Sequence, residues 1–299
     1  MGIELIGIDL GGTNTRSAIV DGDGNIKKEV RSKTLSGAEN ILESMLEAIE
    51  KLMKDNPEKI AALGIGTSGS VHPVTGEIVG AGDTIKGWRG FKLKEKLSER
   101  LSIPIFIDND VNVAALGEGW LGAAQQLRDY AYVAIGTGLG GALVHSDKII
   151  TGVNGGAGEF GHMILYPCGI PCGCGKSGCV EKYVSGTALN LRAREIAPDW
   201  DSYKLFELFR QQDERAVELI HNFVQDLSIV LANIQYMYDP ETIVLGGGVG
   251  EAYPLWETEL SVALQKVSSK KKVNVSLSKL GGNAGVLGAA RLAINGLLS

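Results

Sequence analysis

Two distant stretches of the chain repeat one device, and this repetition constrains the fold more than any other feature. Residues 3–8 form an apolar run that reaches Asp9, turns on Gly11-Gly12-Thr13 and returns through 16–20 to the polar Asp21-Gly22-Asp23-Gly24. Residues 132–135 run into Gly136-Thr137-Gly138-Leu139-Gly140-Gly141 and return through 142–144 to His145-Ser146-Asp147. Apolar runs joined by a short glycine turn predict β-hairpins. Their recurrence predicts two related halves, each carrying a glycine-rich turn at the top of a sheet.

Helix and strand patterns alternate between and after these hairpins. Ser36-Gly37-Ala38-Glu39 has the form of a capping box, and Ile41, Leu42, Met45, Leu46, Ile49, Leu52 and Met53 follow at helical spacing until Asp55-Asn56-Pro57. Strands are predicted over 60–65 and 103–107, and a helix over 110–124. Val217, Ile220, Val224, Leu227, Leu231 and Ile234 form a second long stripe. It leads to a strand at 242–245 and a turn at Gly246-Gly247-Gly248. Such alternation predicts α/β lobes with mixed sheets. A chain of 299 residues exceeds the usual single core, and 44% apolar content supplies a core to each of two lobes.

Charge and hydropathy exclude several function classes. The net charge of −6 disfavours nucleic acid as a partner, and the longest basic run, Lys270-Lys271-Lys272, reads as a solvated loop. No apolar run reaches the ~18 residues of a membrane span. No basic region or cleavage site opens the sequence, so a cytoplasmic location is expected.

The segment from Glu159-Phe160-Gly161-His162 to Cys172-Gly173-Cys174, Cys179 and Glu181 is dense in soft donors. A disulfide framework belongs to small secreted domains with thin cores, which this chain is not. Disulfides among Cys168, Cys172, Cys174 and Cys179 would also be cramped. One imidazole and three thiolates suit a closed tetrahedral zinc site, with Cys168 the odd thiol out. Glu159 and Glu181 stand beside the ligands, where the metal would organise a loop presenting them to a polar, sugar-like molecule.

Asp9-Leu10-Gly11-Gly12-Thr13 lacks the glycine spacing and Lys-Ser/Thr of a Walker A loop. A tight glycine turn still lets backbone N–H groups approach phosphate oxygens, and a nearby carboxylate can hold Mg²⁺. Three glycine turns at strand ends predict one nucleotide held in a cleft between lobes. Asp108-Asn109-Asp110 ends a predicted strand. Asn109 can donate and accept, and Asp110 can take a hydroxyl proton. The same residues serve a turn and a helix cap equally well.

These motifs together resemble the ROK (repressor, open reading frame, kinase) family of bacterial sugar kinases, and within it the glucokinases. The matching segments are Asp9 to Thr13, Asp108 to Glu118, Gly136 to Gly141, Glu159 to His162 and Cys172 to Glu181. The resemblance covers essentially the whole chain. It implies a two-lobe actin-like, Hsp70-like ATPase fold with ribonuclease H-like lobes and an interlobe cleft. The small lobe would span 1–118, with a C-terminal helix at about 284–299 packed back on it. The large lobe would span 119–283 and carry the zinc loop 162–179. The resemblance makes Asp110 the catalytic base and Asn109, Asp110, Glu159, His162 and Glu181 sugar ligands. It assigns structural Zn²⁺ to His162, Cys172, Cys174 and Cys179, with the second ring nitrogen of His162 on a sugar hydroxyl. Asp9 would stand near Mg²⁺, Gly11, Gly12, Thr13, Thr137 and Gly138 near phosphates, and Gly246, Gly247 and Gly248 near adenosine.

The expected reaction is transfer of the γ-phosphoryl of ATP to the C6 hydroxyl of glucose, by a protein that forms a homodimer. One departure stands at Asp83-Thr84-Ile85-Lys86-Gly87-Trp88, where family members often carry Pro-Asn before Gly-Trp. It bears on the choice among glucose, fructose, N-acetylmannosamine and N-acetylglucosamine. A sugar-responsive repressor of the same family would need a helix-turn-helix module before the first hairpin, and Asp9 leaves no room for one. A zinc-ribbon nucleic-acid binder is disfavoured by the acidic charge.

Overall fold

The computed structural model describes residues 2–54, 59–80, 85–268 and 270–298. The predicted helix stop at 55–57 and the departure at Asp83-Thr84 lie outside the described residues. The chain divides into two compact units. The first comprises Met1–Gln126, Asp147–Ala157 and Gly282–Ser299; the second comprises Leu127–Ser146 and Gly158–Gly281.

In the first unit, β1 (Glu4–Leu10) and β2 (Asn14–Asp21) form the expected hairpin, and β3 (Ile26–Lys33) extends it. β4 (Ile60–Thr67) and β7 (Ile105–Asn109) add in parallel, giving the order β3-β2-β1-β4-β7. A small hairpin, β5 (Ser70–Val71) with β6 (Ile78–Gly80), and helix α2 (Leu93–Ser98) lie between β4 and β7 in sequence.

Period-two alternation decides what covers each face of this sheet. Ile6, Ile8, Leu63 and Ile65 share a buried cluster with Ile41, Met45 and Ile49 of α1 (Ala38–Met53). Each such side chain contributes about 1.5–3 kcal/mol of burial. The intervening positions are glycines. α3 (Asp110–Leu121) and α9 (Ala284–Leu297) pack on one another, and α9 lies against β1 and β4. A Cβ on Gly64 would lie 1.8 Å from the Ala289 carbonyl oxygen, and one on Gly288 would lie 1.7 Å from that of Val113. Only glycine admits backbones at this distance.

The predicted capping box at Ser36 does not form. Gly37 holds φ at 91° as the N-cap, with no side-chain bond, and the Ala38 N–H donates to the Lys86 carbonyl instead. The sequence pattern matched the box, but a left-handed glycine at the helix entrance redirects the chain.

In the second unit, β8 (Tyr130–Ile135) and β9 (Leu139–His145) form the second expected hairpin; the short strand β10 (Lys148–Ile149), next in sequence, falls within the first unit. β11 (Thr242–Gly246) and β12 (Val275–Leu277) add in parallel. The order β9-β8-β11-β12 repeats β2-β1-β4-β7 in connection and direction. Helices α4 (Gly186–Ile196), α5 (Ser202–Arg210), α6 (Glu214–Tyr238) and α8 (Tyr253–Val267) belong to this unit. Phe223, Leu227 and Leu231 of α6 share a core with Val133, Ile243 and Leu245. Gly246-Gly247-Gly248, expected as a turn, runs instead into one helical turn, α7 (Gly247–Gly250), entered through Gly247 at φ 80°.

Candidate active site

In the first unit, the glycine turn is closed by the Gly11 N–H donating to the Asn14 carbonyl at 3.1 Å, and Thr34 Oγ1 donates to the Gly11 carbonyl. A Cβ on Gly12 would meet nothing within 4 Å, and Thr13 is exposed. Asp9 is the penultimate residue of β1, one residue before this turn. A Cβ at Gly285 of α9 would come within 2.3 Å of the Asp9 carboxylate, so this glycine makes room for the acid.

Burial pushes the Asp9 carboxyl above its usual range, and the Arg16 guanidinium partly offsets the shift. Arg16 is the register partner of Asp9 in the β1/β2 hairpin. Its guanidinium donates to Glu29 Oε2 at 2.8 Å and to the Gly282 carbonyl at 2.7 Å. Sequence reasoning missed Arg16, although counting outward from the turn places it opposite Asp9.

Asp108, Asn109 and Asp110 stand where β7 passes into α3. Asn109 is the N-cap: Oδ1 accepts from the Val111 and Asn112 N–H groups, and Nδ2 donates to the Gly69 carbonyl. The cap reading of Asn109 therefore holds, and its side chain also hydrogen-bonds Asp110. Asp108 is buried and accepts from the Asn109 N–H and from Asn112 Nδ2. Asp110 is half-buried at the first helical position, where its Oδ1 accepts from the Val111 N–H. Burial, and then the nearby Asp9 charge, push its carboxyl up to about 7. A carboxylate poised near neutrality is suited to accept a proton.

In the second unit, Thr137 and Gly138 lie in the turn between β8 and β9, and α4 holds this turn in place. The N–H groups of Gly186 and Thr187 donate to the carbonyls of Gly136 and Thr137. A Cβ on Gly138 would lie 3.1 Å from Glu181 Oε2, which sets that carboxylate against the glycine turn. Glu181 Oε1 is 3.1 Å from Cys172 Sγ and 3.7 Å from His162 Nδ1. Glu159 precedes the 3-10 turn Phe160–His162 and is exposed. Gly246 is buried in β11, whereas a Cβ on Gly248 would face open space.

His162, Cys172, Cys174 and Cys179 offer one ligand atom each, all within 4.8 Å of one another. Two sulfurs at about 2.3 Å from one tetrahedral Zn²⁺ stand about 3.8 Å apart. The Cys174–Cys179 sulfurs are 3.5 Å apart, and Cys172 Sγ is 3.8 Å from His162 Nδ1. The donor set fits zinc. Burial pushes the Cys172 thiol up to about 12 and raises that of Cys179; a cation offsets the cost of holding them as thiolates. Nδ1 is the imidazole nitrogen turned to the thiols, which leaves Nε2 to carry the proton. Cys168 stays outside this cluster, exposed, at φ 61°.

No helix among the described residues is long and apolar enough to cross a membrane. The ROK family profile matches residues 5–295. The chain is 33% identical to the glucokinase of Halalkalibacterium halodurans, over 96% of this chain and 94% of that one. It is 31% identical to the N-acetylmannosamine kinase of Haemophilus influenzae, over 96% of this chain and 94% of that one. Among solved structures it is similar to a ROK family glucokinase from Streptomyces griseus in complex with glucose and AMPPNP. The TM-score is 0.85 at 31% identity, covering 98% of this chain and 99% of that chain.

Proposed function

Because the chain belongs to the ROK family and is an ATP-dependent hexose kinase with the two-lobe actin-like fold, we propose that it phosphorylates glucose at the C6 hydroxyl, giving glucose 6-phosphate. The observation that carries this reading is Asp110, a half-buried carboxylate pushed up to about 7 at the head of α3. Asp110 takes the C6 hydroxyl proton as the oxygen attacks the γ-phosphorus, a contribution of roughly 10²- to 10⁴-fold. The Asn109 amide, the carboxylates of Glu159 and Glu181 and Nε2–H of His162 hold sugar hydroxyls. Each pairs a donor with an acceptor, as a site that discriminates polyols requires.

Phosphoryl transfer passes through a loose transition state, so positioning and charge neutralisation dominate. Backbone N–H groups of Gly12, Thr13, Thr137 and Gly138 approach the phosphates, with Gly11 shaping the turn through its own bond to Asn14, and Gly246, Gly247 and Gly248 border the adenosine. Asp9 and Asp110 are hard oxygen donors that raise one another's cost of ionisation, a setting that suits Mg²⁺ at Asp9. When bound, Mg²⁺ neutralises phosphate charge. Zinc on His162, Cys172, Cys174 and Cys179 fixes the imidazole tautomer and the loop that presents Glu181. A homodimer is the assembly we infer from the family.

The N-acetylmannosamine kinase of Haemophilus influenzae supports a second reading, a ROK kinase for another hexose. Thr84, the position expected to bear on this choice, lies outside the described residues. Rates with Mg-ATP over glucose, mannose, fructose, N-acetylglucosamine and N-acetylmannosamine separate the two. Glucose is expected to give the highest kcat/KM. A value for N-acetylmannosamine or fructose equal to that for glucose would replace the glucose assignment with the second reading.

A further inference from the structure

A cavity of about 350 Å³ opens in the second unit, lined by Tyr166, Tyr183, Arg192, Asn222, Gln225 and Asp226. None of these residues belongs to the metal cluster or the proposed sugar and nucleotide sets. Its volume lies within the range of small-molecule sites, about 300–1,000 Å³. Asp226 is 5% exposed, and Tyr166 Oη donates to its Oδ1 at 2.5 Å. Its Oδ2 stands 3.9 Å from Arg192 Nη2, beyond hydrogen-bond reach. The guanidinium instead lies over the Tyr183 ring, 5.4 Å from the centroid. The carboxylate and the guanidinium therefore both keep hydrogen-bonding capacity toward the cavity. The side-chain amides of Asn222 and Gln225 make no hydrogen bond to another described residue.

We propose that this cavity binds a neutral, hydroxyl-rich molecule of monosaccharide size. The lining carries one negative and one positive charge, so an anion meets Asp226 and a cation meets Arg192. A hydroxyl donates to the first while accepting from the second, and two amides extend the same dual capacity. Tyr166, 44% exposed, supplies an aromatic face for the C–H side of a pyranose. A ligand hydroxyl at Oδ2 adds a second donor to the one that Tyr166 supplies at Oδ1.

The test counts molecules of 6-deoxy-6-fluoroglucose bound per chain, by calorimetry and ¹⁹F NMR. This probe lacks the hydroxyl that a kinase would phosphorylate. Wild type is expected to bind two, and Asn222→Trp, which fills the cavity mouth from an exposed position, is expected to bind one. Asp226→Asn, which keeps the bond from Tyr166, should weaken the lost event at least tenfold. One molecule bound by wild type and none by Asn222→Trp would support the cavity while counting against the glucose site. Equal numbers in wild type and Asn222→Trp, or no binding to either, would overturn the proposal.

Discussion

Asp110 is held between two demands. A base for a hydroxyl proton must be ionised, yet burial and the charge of Asp9 favour its neutral form. Below about pH 7 the base is progressively protonated, so kcat/KM should fall tenfold per pH unit on the acid side. Asp110→Asn should lower kcat by roughly 10² or more at pH 7.5 while sugar binding, measured by calorimetry, persists. The stability effect runs the other way. A carboxyl raised in the folded state costs stability as pH rises from about 4, the unfolded value, to about 7, and the cost stays constant above. Asp110→Asn should therefore be more stable than wild type at pH 8, by about 2 kcal/mol after allowing for partial solvent screening, and equal to it near pH 4. Urea titrations at the two pH values measure this. At the same scale, Cys174→Ser should lose the metal and Cys168→Ser should retain about one zinc per chain by mass spectrometry of the native protein. The metal donors were legible because three cysteines and a histidine lie within one short segment. Arg16 was not, because its importance depends on a cross-strand partner, and Asn109 showed two roles of which geometry makes the cap explicit.

Elements with a strong period were readable and elements fixed by one residue were not. The α1 stripe and the long α6 stripe have tertiary cores to match, and both glycine hairpins form. β3 passed unread because none of its residues is buried, as befits a charged edge strand. The start of α1 was misread because Gly37 has a backbone conformation that Ser36 and Glu39 do not reveal. Close packing of α9 is the least legible of all, since glycine looks alike in a turn and in a helix contact. It gives a sharp expectation. Gly288→Val places a Cβ within 1.7 Å of the Val113 backbone oxygen, which no side-chain rotation relieves. The loss should be about 3 kcal/mol or more in denaturant midpoint experiments, against well under 1 kcal/mol for Gly2→Ala, where the added carbon meets nothing.

At the scale of the molecule, the duplicated sheet order was anticipated by the duplicated hairpin; the return of the C-terminal helix to the first lobe was expected from the family resemblance alone, and the place of residues 147–157 was not expected at all. Residues 147–157 and 282–299 join the first unit across long intervals of sequence. Removing 284–297 should leave Gly7 and Gly64 uncovered and β1 and β4 open on one face, so the truncated chain is expected to aggregate or lose the cooperative melting of the intact protein in scanning calorimetry.

The same arrangement governs the order of events on the ribosome. At about 5–20 residues per second, the strands of the first unit emerge well before α9, and for that interval a glycine-lined sheet face waits without its helix. The unit begun first is thus the last to be finished, and a nascent chain stalled before residue 284 should be more open to proteases in residues 4–67 than in residues 130–246.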